Sequence, residues 1–271
     1  MPIELASPRG RIRCTLDLEH GGRLASLVVD ELSLLVARRD GLSAIEWGSY
    51  PMVPWAGRIR HSRFSFEGRE VTLLANDGAH ALHGTCFAAV WTVRERTPSS
   101  ARLEIEIPGP WPFGGTAWQL IELHDDGLAL ELGASAPADR AMPVTLGWHP
   151  WFRRRLERGS ELELEVAMAD ARMYLRDADG LPTGQLVPPT PGPWDDCFAG
   201  TGAATLRWPG ALALRFEHDC ANLVLYTEPA NAACVEPQTG PPDQVTLDPA
   251  AARVEAGGSR VARASLRIEP T

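Results

Sequence analysis

An all-β sandwich or barrel is the fold this sequence predicts, on three observations. Apolar and polar residues alternate in short runs from end to end, and turn-formers separate the runs. The 25 glycines and 23 prolines leave little room for long helices. Period-two alternation sends one set of side chains into a core and the other into solvent, and many short strands with frequent turns make sandwiches and barrels.

Taken in order, the first element is ambiguous by period alone. Between Arg23 and Arg38, the residues Leu24, Leu27, Val28, Leu32, Leu35 and Val36 fit a helix as well as two strands joined at Asp30-Glu31. The leading Gly21-Gly22 and the β-branched Val28-Val29 favour the hairpin. Residues 103–107, 128–132 and 162–166 alternate strictly, and residues 120–123, 212–216, 223–226 and 264–268 do so more weakly. Pro108-Gly109-Pro110, Asp125-Asp126-Gly127, Asp179-Gly180 and Pro209-Gly210 punctuate them. Residues 181–193 carry five prolines. Strand patterns stand on both sides, so this stretch reads as a surface loop within a single domain over residues 1–271. Arg153-Arg154-Arg155 reads as a solvated turn.

Composition excludes several classes. With 44% apolar and 23% charged residues, the 271-residue chain can bury a real core. A net charge of −9 argues against general nucleic-acid binding, which needs a cationic surface. No apolar run approaches the ~18–20 residues that cross a bilayer, and the first eight residues show no basic-then-apolar leader. The five cysteines, Cys14, Cys86, Cys197, Cys220 and Cys234, are scattered and odd in number, which suggests reduced thiols in the cytoplasm. Serine-hydrolase, phosphate-loop and dinucleotide motifs are missing.

Four segments place polar groups beside tryptophan, proline and glycine where a solvated loop would not need them. They are Pro54-Trp55-Ala56-Gly57-Arg58-Ile59-Arg60, His80-Ala81-Leu82-His83-Gly84, Gly147-Trp148-His149-Pro150-Trp151-Phe152, and Val235-Glu236-Pro237-Gln238-Thr239-Gly240-Pro241-Pro242. Trp194-Asp195-Asp196-Cys197-Phe198 is a weaker fifth. Aromatic faces beside hydrogen-bonding groups suit a sugar, whose C–H faces pack on rings while its hydroxyls need partners.

Together with the early Gly21-Gly22-Arg23-Leu24-Ala25-Ser26-Leu27 stretch, these blocks resemble the aldose 1-epimerase (galactose mutarotase) family across most of the chain. The resemblance implies a large antiparallel β-sandwich, the galactose mutarotase-like supersandwich. It implies interconversion of the α and β anomers of an aldose, with no cofactor and no metal. His149 matches the family's general acid and Glu236 its general base. Arg58 and His83 match sugar contacts, and Asp195 matches a hydroxyl-binding aspartate, with Asp196 one step away in register. Trp55, Trp148 and Trp151 are candidate pocket walls. The family's asparagine before the arginine is Gly57 here, and a glutamine before the Tyr226-Thr227 strand has no counterpart. Both departures bear on substrate identity rather than on reaction type.

Each residue also has a plainer reading. His149 could be a satisfied structural histidine, Glu236 a strand-end charge, and the Arg58/Arg60/Arg63 loop a solvated basic patch. His80 and His83 have ligand spacing, but no second cluster completes a metal site. A glycosidase pair of Glu236 with Asp195 leaves His149 without a role. For the acid–base reading, an acid and a base on opposite sides of the hemiacetal, with the carboxylate raising the histidine modestly, would suffice. The rivals are a hexose-6-phosphate 1-epimerase of the same superfamily, motivated by the arginine loop, and a carbohydrate-binding sandwich without turnover.

Overall fold

Strands with one apolar face can bury it only by stacking sheet on sheet, and this chain does so. The computed structural model describes residues 2–159, 161–169 and 171–270. Met1 and Thr271, the ends of the expected domain, lie outside the described residues. An 11-stranded sheet runs in the order Ile3–Ala6, Ile12–Asp17, Arg23–Val29, Ser49–Met52, Gly147–Arg153, Ala232–Gln238, Asn222–Tyr226, Asp195–Ala199, Arg172–Arg176 and Pro182–Val187, with Leu32–Ser33 added beside Arg23–Val29. An 8-stranded sheet runs Thr92–Arg96, Ser100–Glu106, Thr116–His124, Gly127–Ser135, Ser259–Ile268, Leu212–His218, Ala203–Trp208 and Glu165–Met168.

The pairings within both sheets are antiparallel. Leu5, Leu16, Leu24 and Phe198 of the first sheet bury into one cluster with Leu103, Leu132, Leu214 and Phe216 of the second. The fold is therefore a large antiparallel β-sandwich, and its α-helices, Gln244–Leu247 and Pro249–Ala252, have four residues each. Among the described residues no helix is long and apolar enough to cross a membrane.

The ambiguous first element is a hairpin. Val29 pairs with Leu32 across Asp30 and Glu31, whose φ angles of 48° and 67° make the two-residue turn that matches strand twist. Positive φ strains both residues, and their carboxylates are held by Arg11 at 2.7 Å and Arg13 at 2.8 Å.

Three expectations need correction. The proline-rich stretch is not all loop, because Pro182–Val187 pairs with Arg172–Arg176 as an edge strand. Proline heads that strand, where its missing N–H leaves no ladder bond unmade. The alternation over residues 162–166 becomes strand only from Glu165, where Arg207 begins to offer a partner. Arg154, expected in a solvated turn, donates instead to the carbonyls of Pro229 at 2.9 Å and Thr227 at 2.5 Å.

The Gly21-Gly22-Arg23 stretch serves a buried cation. Arg23 is fully buried, and its guanidinium donates to the carbonyls of His20 (2.6 Å), Trp47 (2.9 Å) and Phe87 (2.8 Å). It lies 4.1 Å from the Trp47 ring centre and 4.9 Å from that of Tyr50. Burial lowers its pKa to about 10, which still leaves it charged at neutral pH. Arg23→Leu strands three carbonyls without a donor, so we expect a loss of ~3–5 kcal/mol. In a chain of this size that lowers the melting temperature by on the order of 10 °C. Thermal unfolding checks this, and an unchanged midpoint would show that the carbonyls find other donors.

Candidate active site

Register on the 11-stranded sheet assembles the site. Tyr50 pairs with His149 across one strand boundary. On the other side Gly147 pairs with Gln238 and Trp151 with Cys234, which sets His149 opposite Glu236. Glu236 pairs with Val224, and Val224 with Cys197. Tyr50, His149, Glu236, Val224 and Cys197 therefore form one row across five strands. Because side chains alternate, Trp151, Tyr226 and Asp195 belong to the next row on the same face. These eight residues line one cavity of about 450 Å³, the size that takes a small polar ligand.

His149 and Glu236 meet at its floor, with Nε2 3.2 Å from Oε1 and both side chains buried. The imidazole is stacked between Tyr50, at 4.9 Å and 20°, and Trp151, at 5.4 Å and 17°. The edge of His83 closes a third side at 4.9 Å. This apolar jacket desolvates both members. Burial pushes the His149 imidazole down to about 3 and the Glu236 carboxyl well above 4.5, with the charge of Asp195 adding to the second. Two expectations change as a result. The acid and base candidates lie side by side on neighbouring strands rather than on opposite flanks. His149 is not raised above its ordinary range, because burial penalises the charged ring and the nearby charges of Arg23 and Arg58 add to that.

The other polar candidates ring this pair. Arg58 donates to Asp77 at 2.5 Å and to Asp195 at 3.4 Å. Asp195 lies on the face of the catalytic candidates, whereas Asp196 is largely buried and held by Arg176 at 3.0 Å. Burial holds His83 well below the usual histidine range, so it is neutral. Its Nδ1 is buried and has no protein partner. Gly57 has φ +70°, and a Cβ there would stand 2.8 Å from the Pro242 ring. The family's asparagine therefore has no room at this position. Arg60 lies outside the cavity and clamps its rim by donating to Asp177 and Asp179, both at 2.7 Å, and to Asp243 at 3.3 Å.

Arg58, His83, His149, Trp151, Asp195 and Glu236 all come together here, but two expected walls do not. Trp148 lies between His149 and Gly147 in a strand, so alternation turns it to the opposite face, into the core between the sheets. Trp55 packs on Trp111 at 5.6 Å, its indole N–H donating to the Ala81 carbonyl at 3.3 Å, and it does not line the cavity. The sequence reading also missed residues. Tyr50, Asp77, Tyr226 and Gln238 line the cavity, and Gln238 Nε2 donates to Glu236 Oε2 at 3.1 Å. Strand spacing could have found Gln238, two residues beyond Glu236 on the same face. Tyr50 has no local signal, because only cross-strand register places it.

His80 stands apart from His83, its Nδ1 accepting the backbone N–H of His61 at 3.1 Å. Among the described residues, His149, Cys234 and Glu236 bring possible ligand atoms within 4.8 Å of one another. Nε2 and the carboxyl face each other there at 3.2 Å, beside the buried thiol of Cys234.

Comparison with known proteins gives the family and the fold. Residues 17–257 match the family model described as aldose 1-epimerase. An uncharacterized protein of Escherichia coli K12, YphB, is 28% identical over 137 residues, which is 49% of this chain and 47% of that protein. The match thus takes in about half the length of that relative. A GalM/aldose epimerase homologue from C. elegans superposes with a TM-score of 0.85 at 18% identity, covering 99% of this chain and 98% of its own. A galactose mutarotase-like protein from Clostridium acetobutylicum gives 0.83 at 17% identity, covering 97% and 94%. At these identities the two structures speak for the fold alone.

Proposed function

The chain belongs to the aldose 1-epimerase family, and from that premise we propose that it interconverts the anomers of an unphosphorylated aldose, with His149 and Glu236 moving the protons. The observation that carries this reading is their buried 3.2 Å contact on the floor of a sugar-sized cavity. O1 and O5 of a cyclic aldose hang on the same carbon, so one compact acid–base pair reaches both.

Burial favours a pair of zero net charge, and such a pair holds one acidic proton. The shared proton crosses the 3.2 Å contact from Glu236 to His149, and ring opening passes it on to O5 as the C1–O5 bond breaks. Glu236 takes the proton of the C1 hydroxyl as C1 becomes a carbonyl. The proton count of the pair is unchanged. After rotation about C1–C2, Glu236 returns a proton to O1 and His149 takes one from O5 as the ring closes on the other face. General acid and base catalysis each contribute ~10²–10⁴-fold. Arg58, His83 and Asp195 hold hydroxyls, and Trp151 supplies an aromatic wall. The step needs no cofactor.

Charge favours the unphosphorylated substrate over the hexose 6-phosphate. Glu46, Asp77, Asp195, Asp196 and Glu228 line the cavity against Arg58 and Arg176, and both arginines are already ion-paired. An anion would meet a repelling field. We read the compartment as the cytoplasm, since all five cysteines are free and buried.

Polarimetry tests the reading. Purified protein is expected to speed the mutarotation of at least one common aldose above the uncatalysed rate, and its 6-phosphate far less. No acceleration with any aldose would end the proposal. Saturable sugar binding without acceleration would favour a carbohydrate-binding protein instead.

A further inference from the structure

On the reading that His149 and Glu236 trade one proton, we propose that Gln238 is a positioning residue that anchors Glu236 in both protonation states of each turnover. In the structure the amide N–H of Gln238 donates to Glu236 Oε2 at 3.1 Å. That bond fixes one carboxylate oxygen and leaves Oε1 to face His149. The Gln238 side chain is fully buried, and its Oε1 has no partner. A glutamine carboxamide presents a donor at one end and an acceptor at the other. Turned by half a rotation, it accepts from the protonated carboxyl that ring opening creates. Asn222, directly across the strand pair, carries a second buried carbonyl without a partner, an acceptor for the turned N–H. A leucine in this place could serve neither state.

The neighbouring backbone makes room for this side chain. Gly147 pairs with Gln238 across the opposite strand boundary. A Cβ at Gly147 would stand 3.0 Å from Gln238 Cγ and 2.7 Å from the Pro237 carbonyl oxygen. The glycine that opens the Trp148-His149 segment therefore clears a slot for the glutamine, two positions from the histidine whose partner the glutamine holds.

The groups that face Glu236 from the surrounding elements are His149, Tyr50, Arg58, Asp195, Cys197 and Cys234. None of them is altered in Gln238→Met, which keeps the length of the side chain and loses its polar atoms. We expect kcat for aldose mutarotation to fall ~10–100-fold, the value of a hydrogen bond to a charged group, with KM within about twofold. The alkaline limb of kcat moves to higher pH, because the carboxylate has lost a donor. A raised KM with unchanged kcat, or an alkaline limb that does not move, overturns the proposal.

Infrared spectra of the wild-type chain keep the test independent of whether the variant folds. The protonated carboxyl band of Glu236, identified by its loss in Glu236→Gln, is expected at the lower frequency of a hydrogen-bonded acid and to stay there in His149→Leu, which removes the other partner at hydrogen-bond distance. A band at the free-acid frequency overturns the anchor. A chain that turns over no aldose yet shows the bonded band would sink the activity and leave the anchor standing.

Discussion

Glu236→Gln is expected to lower the rate of mutarotation ~10²–10⁴-fold while leaving the protein at least as stable as the parent. The amide keeps the shape of the carboxyl and its contacts on the floor of the cavity, but it can neither take the proton of the C1 hydroxyl nor return it. His149→Asn should cost as much. The double substitution should cost little more than either alone, since two groups that trade one proton act as a unit. Stability moves the other way for a reason of burial. The folded chain holds the Glu236 carboxyl well above 4.5, so above that pH the unfolded chain releases a proton that the folded chain retains. The resulting cost is absent below pH 4.5 and grows as pH rises. Glutamine does not titrate, and removing the group should raise the melting temperature at neutral pH. Polarimetric rates and melting curves on the same samples decide the matter. A variant with full activity, or one that is inactive because it is unfolded, would contradict the assignment.

The second large effect is a missing inflection. A lone histidine acid near its ordinary pKa of ~6.5 would lose about tenfold in rate for each pH unit above that value. Here burial lowers His149 to about 3 and raises Glu236, and the pair works while it holds one proton. Acid adds a second proton only as pH falls toward about 3, and alkali strips the last one only above the raised value of Glu236. From about pH 5 up to the raised value of Glu236 the enzymatic kcat/KM, corrected for the uncatalysed reaction, is therefore expected to be flat, with no break at pH 6.5. Stability is not flat on the acid side. The unfolded chain protonates His149 below 6.5 and the folded chain resists to about 3, so this contribution is present above 6.5 and drains away as pH falls through that window. A tenfold rate change per unit around pH 6.5 would mean that His149 acts as an isolated acid.

How much was legible in the sequence follows from the range of each signal. Residues 128–132 announced a strand because alternation is local, and the structure extends it to Gly127–Ser135. The hairpin at Asp30-Glu31 was legible from Gly21-Gly22 and the β-branched Val28-Val29, where period alone left a helix open. The strand Pro182–Val187 was not, since only its neighbour Arg172–Arg176 makes it one. Among site candidates, polar residues set in apolar surroundings stood out, and His149, Glu236, Arg58, His83 and Asp195 do converge. Trp148 and Trp151 looked alike as walls, although the pleat sends them to opposite faces. Trp55 looked like a wall because it adjoins Arg58, and its indole points instead to Trp111.

The sequence by itself determined the all-β class and the residue types able to move a proton, since both are written in short-range pattern and composition, and its resemblance to the family pointed to the sandwich and to the blocks that belong together. Only the tertiary structure decided that Tyr50, His149, Glu236 and Cys197 share a row, that Gln238 grips Glu236, and that the imidazole and carboxyl touch and are pushed toward their neutral forms. Register and desolvation come from segments as distant in the chain as Tyr50, His149 and Glu236 closing over the same space, so no short window of the sequence contains them.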